Sequence, residues 1–342
     1  MTTIKADIND ARPTVLEHFV GQDSVVQRVK VALEASWRDG TRLPHLLFTG
    51  QAGMGKTGLA NVIAKETGSR IIEQLAQNLS NPNAVQGFLL EADDRDVLFI
   101  DEIHELMPQA QVLLYRALEE RRLFLPSNQL RPGPPKVLKL ANFTLIGATT
   151  DEYALLPPLL SRFKIVGRFS KYSILELTAL LQQRCKKLDW STEPGVIEDI
   201  ARRGRGTPRR ALTLLEAVYR SSRASGEDIM TMDHFEQTCR LESIDRAGLN
   251  EIEQRYLRLL EAKSQPIRLN VIASRLGVPP RTIQQIVETD LIEEGYVDKL
   301  AQGERQITTK ARRHLMKADA TTSDSGSWNN GVNNNGGWQD DD

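Results

Sequence analysis

With 342 residues, 40% of them hydrophobic and 26% charged, the chain can bury a sizeable core and exceeds the usual size of one compact domain, so two or three domains are expected. A formal net charge of -1 argues against a protein that coats nucleic acid wholesale. No run approaches the roughly 20 apolar residues of a membrane helix, and the start MTTIKADINDARPT lacks the apolar core of a secretory signal, which points to the cytoplasm and to no membrane partner. Cys185 and Cys239, the only cysteines, are far apart, which speaks against a disulfide framework and a thiolate metal site.

Residues 1–13 are polar and read as an arm, and the apolar spacing over 25–37 fits a surface helix. Leu46, Leu47 and Phe48 then make a short, fully apolar strand that stops at Gly50, and a helix with Leu59, Ala60, Val62 and Ile63 begins inside the glycine-rich loop that follows. A second apolar strand over 97–100 ends in Asp101 and Glu102. A third over 143–146 runs into Gly147, Ala148, Thr149 and Thr150, and 163–169 supplies a fourth. Strands apolar on both faces and separated by helical stretches indicate an α/β fold with a covered parallel sheet, whose ligands collect at the strands' carboxyl ends.

From 171 to 242 the strand signals fade, and helices over 175–188, 194–203, 207–221 and 232–239 make an all-helical unit. Residues 248–317 form a third: helices over 250–262 and 269–276, a turn at 277–280, a helix over 281–289 with Pro280 near its first turn, and strand-like pieces at 296–297 and 305–308. That order is a winged helix. With 12 Lys and Arg against 9 Asp and Glu, its net of +3 leaves a DNA reader and a protein-docking module equally open. Five arginines within 201–210 mean that any nucleic-acid contact is local. The Asn/Gly-rich tail over 318–342, ending in Asp340, Asp341 and Asp342, is expected to be disordered, with Trp328 and Trp338 either a short docking motif or a chance spacing.

The chemistry is concentrated at two of these strand ends. Gly50-Gln51-Ala52-Gly53-Met54-Gly55-Lys56-Thr57 matches GxxxxGKT and lies between a strand and a helix. In that context Gly50, Gly53 and Gly55 let backbone N–H groups wrap phosphates, Lys56 reaches the β and γ phosphates, and Thr57 offers its hydroxyl to Mg2+. Asp101 suits holding the metal through its water shell and Glu102 the polarisation of an attacking water, so hydrolysis, with ATP as fuel, is expected. Thr149 and Thr150 stand where a hydroxyl senses the γ-phosphate or orients that water. Spacing alone assigns no role to Arg162, Arg209 or His104.

Beyond the generic motifs, ARPTVLEHFVGQ (11–22), DVLFIDEIHEL (96–106), LYRALEERRL (114–123), FTLIGATT (143–150), PPLLSRF (157–163) and ARRGRGTPRRALTLL (201–215) together resemble the RuvB family of AAA+ ATPases, from about residue 12 to 315. The resemblance implies an AAA+ P-loop domain over 1–170, a helical lid over 171–242 and a winged-helix domain over 248–317. It further implies a hexameric ring with ATP between subunits, a double-stranded DNA translocase that drives Holliday-junction branch migration, and duplex or four-way junction DNA as partner. By the same resemblance Arg162 reaches the neighbour's γ-phosphate, Pro208 and Arg209 sense nucleotide from the lid, and the third-strand sensor is Thr149 or Thr150. Arg12, Pro13, Phe19 and Val20, with Tyr172, lie where the family surrounds adenine.

The chain departs from the family pattern at Gly58, where threonine is usual, and over 124–140, where the family projects a hairpin that docks RuvA. Pro126, Pro132, Pro134 and Pro135 restrict φ and remove donors, so a long regular ladder is not expected there, and a partner other than a standard RuvA is. A second reading therefore stands beside the first, a RuvB-like motor acting on a different protein or nucleoprotein complex with the winged helix as adaptor.

Overall fold

Short strands buried on both faces need helices on either side, and the computed structural model, which describes residues 7–125, 136–263 and 265–325, builds its first compact unit that way. This unit ends at Phe235 and the second begins at Glu236. In chain order the first contains α1 (Asp23–Asp39), β1 (Leu46–Thr49), α2 (Lys56–Glu66), β2 (Ile71–Leu75), α3 (Pro82–Leu90), β3 (Val97–Asp101), α4 (Pro108–Glu120), a hairpin of β4 (Arg122–Leu125) and β5 (Lys136–Lys139), β6 (Thr144–Thr149), a short α5 (Pro157–Leu160) and β7 (Ile165–Arg168). The sheet is parallel throughout, in the order β2-β3-β6-β1-β7.

The strand at one edge, β2, escapes the sequence reading because Glu73 and Gln74 break its apolar run, and an edge strand is not required to be apolar on both sides. Where an arm was expected, Ile8–Ala11 forms a turn of 3-10 helix closed by a capping box from Asp7 and Asp10, and Ala11 is buried. The capped turn gives the polar segment a fixed end against the body: Lys187 Nζ donates to the Arg12 carbonyl at 3.4 Å.

The lid helices are α6 (Ile174–Leu188), α7 (Val196–Arg203) and α8 (Pro208–Ala224). They are joined by a parallel pair of two-residue strands, β8 (Ser191–Thr192) and β9 (Ile229–Met230), so the unit is not all-helical as expected; strands this short leave no periodicity to read. The helix α9 (Met232–Leu241) follows. The hairpin ladder pairs four residues with four, from Arg122 with Lys139 to Leu125 with Lys136, and leaves Phe124 and Val137 about half exposed. The prolines expected to interrupt it lie outside the described residues.

The second unit contains α10 (Glu251–Glu261), β10 (Ile267–Arg268), α11 (Leu269–Leu276), then α12 (Pro280–Thr282), a π turn (Ile283–Val287) and α13 (Glu288–Glu293) run together, β11 (Val297–Lys299), β12 (Glu304–Ile307) and α14 (Thr309–Ser325). A third strand, β10, joins the expected pair in the order β10-β12-β11. Helix α14 continues to Ser325, which corrects the expectation of disorder from 318: a helix already nucleated over 309–317 is carried on by good helix formers such as Ala318 and Ala320. Residues 326–342, with Trp328 and Trp338, lie outside the described residues.

In the core of this unit Glu288 and Arg305 form a fork, Arg305 Nε to Oε1 and Nη2 to Oε2, each 2.8 Å, while the Tyr256 hydroxyl donates to Oε1 at 2.7 Å. All three side chains are buried. Removing one partner of such a pair strands a charge in an apolar interior, so Glu288→Ala is expected to destabilise this unit by about 3–5 kcal/mol. Denaturant unfolding should show the loss; a change under about 1 kcal/mol would mean the pair contributes nothing beyond its packing.

Candidate nucleotide site

The strand order places the carboxyl ends of β1, β3 and β6 side by side, with Leu46 opposite Ile146, Thr49 opposite Thr149 and Ile100 opposite Gly147. Residues 50, 101 and 149, far apart in the chain, thereby reach one end of one sheet. The loop after β1 turns through positive φ at Gly50 (141°), Gly53 (81°) and Gly55 (102°) before α2. Two of these positions exclude a side chain on space as well: a Cβ on Gly50 would stand 2.7 Å from the Phe169 carbonyl, and one on Gly53 2.8 Å from Arg209 Cβ. No side chain caps the start of α2, so its first N–H groups remain directed at whatever enters the loop. By contrast, a Cβ on Gly58 would meet only Phe19 within 4 Å, at 3.8 Å, so packing does not require glycine there.

Lys56 is buried, and its Nζ donates to the Gly50 and Gln51 carbonyls at 2.5 and 3.1 Å. Burial lowers its pKa and Arg209 adds to this, opposed by Glu102 and Asp101. Asp101 moves the other way: burial and then neighbouring Glu102 raise its pKa, although its Oδ1 accepts from Glu102 N–H at 3.0 Å. Glu73 on β2, raised by burial and by Asp101, adds a third carboxyl that the sequence reading did not single out. Its signal, an acid inside a short strand, is shared by many surface strands.

Glu102 sits in the left-handed region at φ 48°, an uncommon place for a residue with a side chain. There its Oε2 accepts from Thr150 N–H at 3.0 Å and from Thr150 Oγ1 at 3.1 Å, with His104 Nδ1 3.3 Å away. His104 Nδ1 also lies 3.0 Å from Thr149 Oγ1. Spacing had left His104 unassigned; the fold brings it between Thr149 and the acid. The local backbone is what aims it, since Ile103–Glu105 forms a single 3-10 turn after the strained Glu102.

Arg209 and Pro208 begin α8, and Arg209 N–H donates to the Gly53 carbonyl at 3.3 Å. Phe19 stands against Gly55 and Gly58, and the buried Tyr172 hydroxyl donates to the Met54 carbonyl at 3.3 Å. Burial pushes the Tyr172 phenol up, so it remains a donor. Gln22 ties the same segment to the end of β7, giving Nε2–H to the Ser170 carbonyl and accepting Ser170 N–H. Val20 and Pro13 are half-buried on the adjoining segment, whereas Arg12 gives Nη2–H to Asn9 at 2.6 Å. Thr57 stands on the first turn of α2.

Arg162 stands away from this cluster. It precedes β7, and Lys164 N–H donates to the carbonyl of His45, the residue before β1. Arg162 is thus at the amino ends of strands whose carboxyl ends hold the loop, about 13 Å away along a four-residue strand. It pairs with Glu119 of α4, Nη2 to Oε2 2.7 Å.

Among known proteins, residues 11–169 match the Holliday junction DNA helicase RuvB P-loop domain, 172–245 the RuvB AAA lid domain and 246–316 the RuvB C-terminal winged helix domain. The Holliday junction branch migration complex subunit RuvB of Prochlorococcus marinus (strain MIT 9313) is 36% identical over 307 residues, 89% of this chain and 87% of that protein. The subunit of the same name from Campylobacter jejuni (strain RM1221) is 34% identical, over 85% of this chain and 88% of its own. The solved Thermotoga maritima RuvB Holliday junction branch migration motor aligns with a TM-score of 0.78 at 33% identity, covering 90% of this chain and 98% of that one. A P-loop sheet, a lid whose helix α8 begins against that loop, a winged helix and this similarity along nearly the whole length agree: the chain belongs to the RuvB family of ATP-hydrolysing AAA+ motors.

Proposed function

We propose that this protein is a double-stranded DNA translocase that uses ATP to drive Holliday-junction branch migration. The observation that carries the reading is the split between one complete phosphate-and-acid cluster and an arginine held at the opposite ends of the same strands. Such a chain closes its site with a neighbour, which supports a hexameric ring in which Arg162 meets the next subunit's γ-phosphate. Its three working parts are the P-loop domain over 1–170, the lid over 171–242 and the winged helix over 248–317.

In this mechanism the loop's N–H groups and Lys56 hold the phosphates, and the lid's Arg209, one hydrogen bond from Gly53, couples nucleotide to lid position. Phe19, Val20, Tyr172 and Pro208, with Arg12 and Pro13 on the entering segment, wall the adenine. The carboxyl of Asp101, crowded by Glu102, and the Thr57 hydroxyl would hold Mg2+, which would supply positive charge to offset that of the phosphates. Glu102 accepts the proton of the attacking water, Thr150 and His104 hold that carboxylate in place, and Thr149 in turn holds His104.

Duplex or four-way junction DNA, contacted through its phosphates in the cytoplasm, is the track. Apparent affinity is therefore expected to fall steeply between about 50 and 200 mM salt with little preference among base sequences. Fluorescence anisotropy with duplex and junction DNA measures this; a salt-insensitive equilibrium, or ATPase activity that neither DNA stimulates, would remove DNA as the track.

One observation favours the second reading, a motor recruited to another complex. The helix that would enter a major groove carries Arg281 against Asp290 and Glu293, with Glu294 just past its end, and leaves Ile286 64% exposed. That surface suits a protein better than a phosphate backbone. The half-exposed Phe124 and Val137 of the hairpin offer the segment 124–140 as a dock for a RuvA-like or different protein.

A further inference from the structure

Residues 242–250 join α9 to α10, and the lid and winged-helix matches meet inside this connector, between 245 and 246. A loop of this length with Gly248 at φ 81° would ordinarily be slack. Here it is tied from both sides. On the α9 side, Glu242 N–H donates to the Thr238 carbonyl at 2.9 Å and Ile244 N–H to that of Cys239 at 2.8 Å, with Ser243 left-handed at φ 53° between them. On the α10 side, Gln254 Nε2 donates to the carbonyls of Ser243 and Leu249, each at 2.8 Å.

Asp245 is the centre of the arrangement. Its Oδ1 accepts Ala247 N–H at 2.8 Å and Leu249 N–H at 2.9 Å, while its own backbone N–H and C=O bond Leu249 and Gly248. Its Oδ2 meets His314 Nε2, from the last helix α14, at 2.7 Å. A carboxylate only accepts, so this nitrogen carries the hydrogen. The two side chains are 14% and 17% exposed, which strengthens a bond to a charged acceptor by thinning the water around it. The His314 ring is itself held edge-on to Tyr296, centroids 5.8 Å apart, and its neighbours Ala311 and Leu315 share the core with Leu249. The second compact unit begins at Glu236 and so takes in the latter part of α9 together with the winged helix.

We propose that Asp245 and His314 are positioning residues that make the end of α9 and the winged helix one stiff lever, so that movement of the lid's last helix reaches the winged helix without slack. Neither residue belongs to the nucleotide cluster. Hydrolysis is therefore independent of the joint, whereas the work each ATP does on the track depends on it. The effect on the track rests on the translocase reading above; the stiffness of the lever does not.

The lever is tested in the full chain by electron resonance distances between spin labels at Gln237→Cys on α9 and Lys299→Cys on β11, both exposed positions, the native Cys185 and Cys239 being buried. A narrow distribution is expected. His314→Leu keeps bulk and removes the donor, and should broaden it; His314→Gln, whose Nε2 is as many bonds from the backbone, should restore it. Gln254→Ala loosens the same connector from α10 and should broaden it as well, which keeps the test open if His314→Leu fails to fold. Without labels, His314→Leu should hydrolyse ATP at the parental rate but migrate roughly threefold or more fewer junctions per ATP, and His314→Gln should recover most of that loss. Unchanged distributions in folded His314→Leu and Gln254→Ala overturn the lever. Broadening with junctions per ATP unaltered overturns the transmission, and His314→Gln behaving like His314→Leu overturns the role of the bond. Should the parent itself migrate no junctions while the labels still respond to His314→Leu and His314→Gln as expected, the translocase reading falls and the lever stands.

Discussion

Glu102→Gln subunits are expected to bind ATP and to turn it over about 100- to 10,000-fold more slowly than the parent, the range that positioned general-base catalysis supplies. The substitution is nearly isosteric, and the amide oxygen can still accept from Thr150 N–H, which now bonds Oε2 at 3.0 Å, so the left-handed turn at residue 102 should survive. What disappears is basicity. Lys56→Ala should fail differently, losing tight ATP binding itself, because its ammonium is the buried cation nearest the loop carbonyls and both acids. Equilibrium nucleotide binding measured beside steady-state hydrolysis separates the two. Glu102→Gln turnover near the parent rate would mean that another group activates the water, with His104, 3.3 Å from the carboxylate, the first to examine.

Arg162→Ala should lower turnover further, by about 1,000- to 100,000-fold if it acts as a supplied arginine finger, while nucleotide binding to the single subunit changes little. The reason is geometric: within one chain the guanidinium is at the amino end of β7 and paired with Glu119, a strand's length from the chain's own loop. It can reach a γ-phosphate only on another copy. Mixed rings of Arg162→Ala and Glu102→Gln subunits contain some interfaces with an intact Glu102 and an intact Arg162, and should regain part of the activity that each variant lacks alone. No recovery in rings shown to be mixed would rule out the finger. Together the two experiments assign the hydrolytic acid to one subunit and the arginine to the next.

The nucleotide loop, the acids after β3 and the threonines after β6 are legible in the amino-acid sequence because each is a run of neighbouring residues at the end of an apolar strand. Local pattern therefore specified both the chemistry and its place on a parallel sheet. The winged helix was legible for the same reason, its turn and helices being marked by Gly277, Pro279 and Pro280 in sequence. Strand order and register are different matters, since hydrophobic periodicity says which residues are buried and not which strands adjoin. Only the tertiary structure put Arg209 on Gly53, His104 between Thr149 and Glu102, and Glu73 near Asp101. It alone brought His314 to Asp245, joined Glu288 to Arg305, and showed that Arg162 answers to Glu119 instead of to its own loop. In each case the partners are separated in sequence by intervals that no local rule constrains, and burial makes the contact matter by withdrawing water from groups that must then find each other.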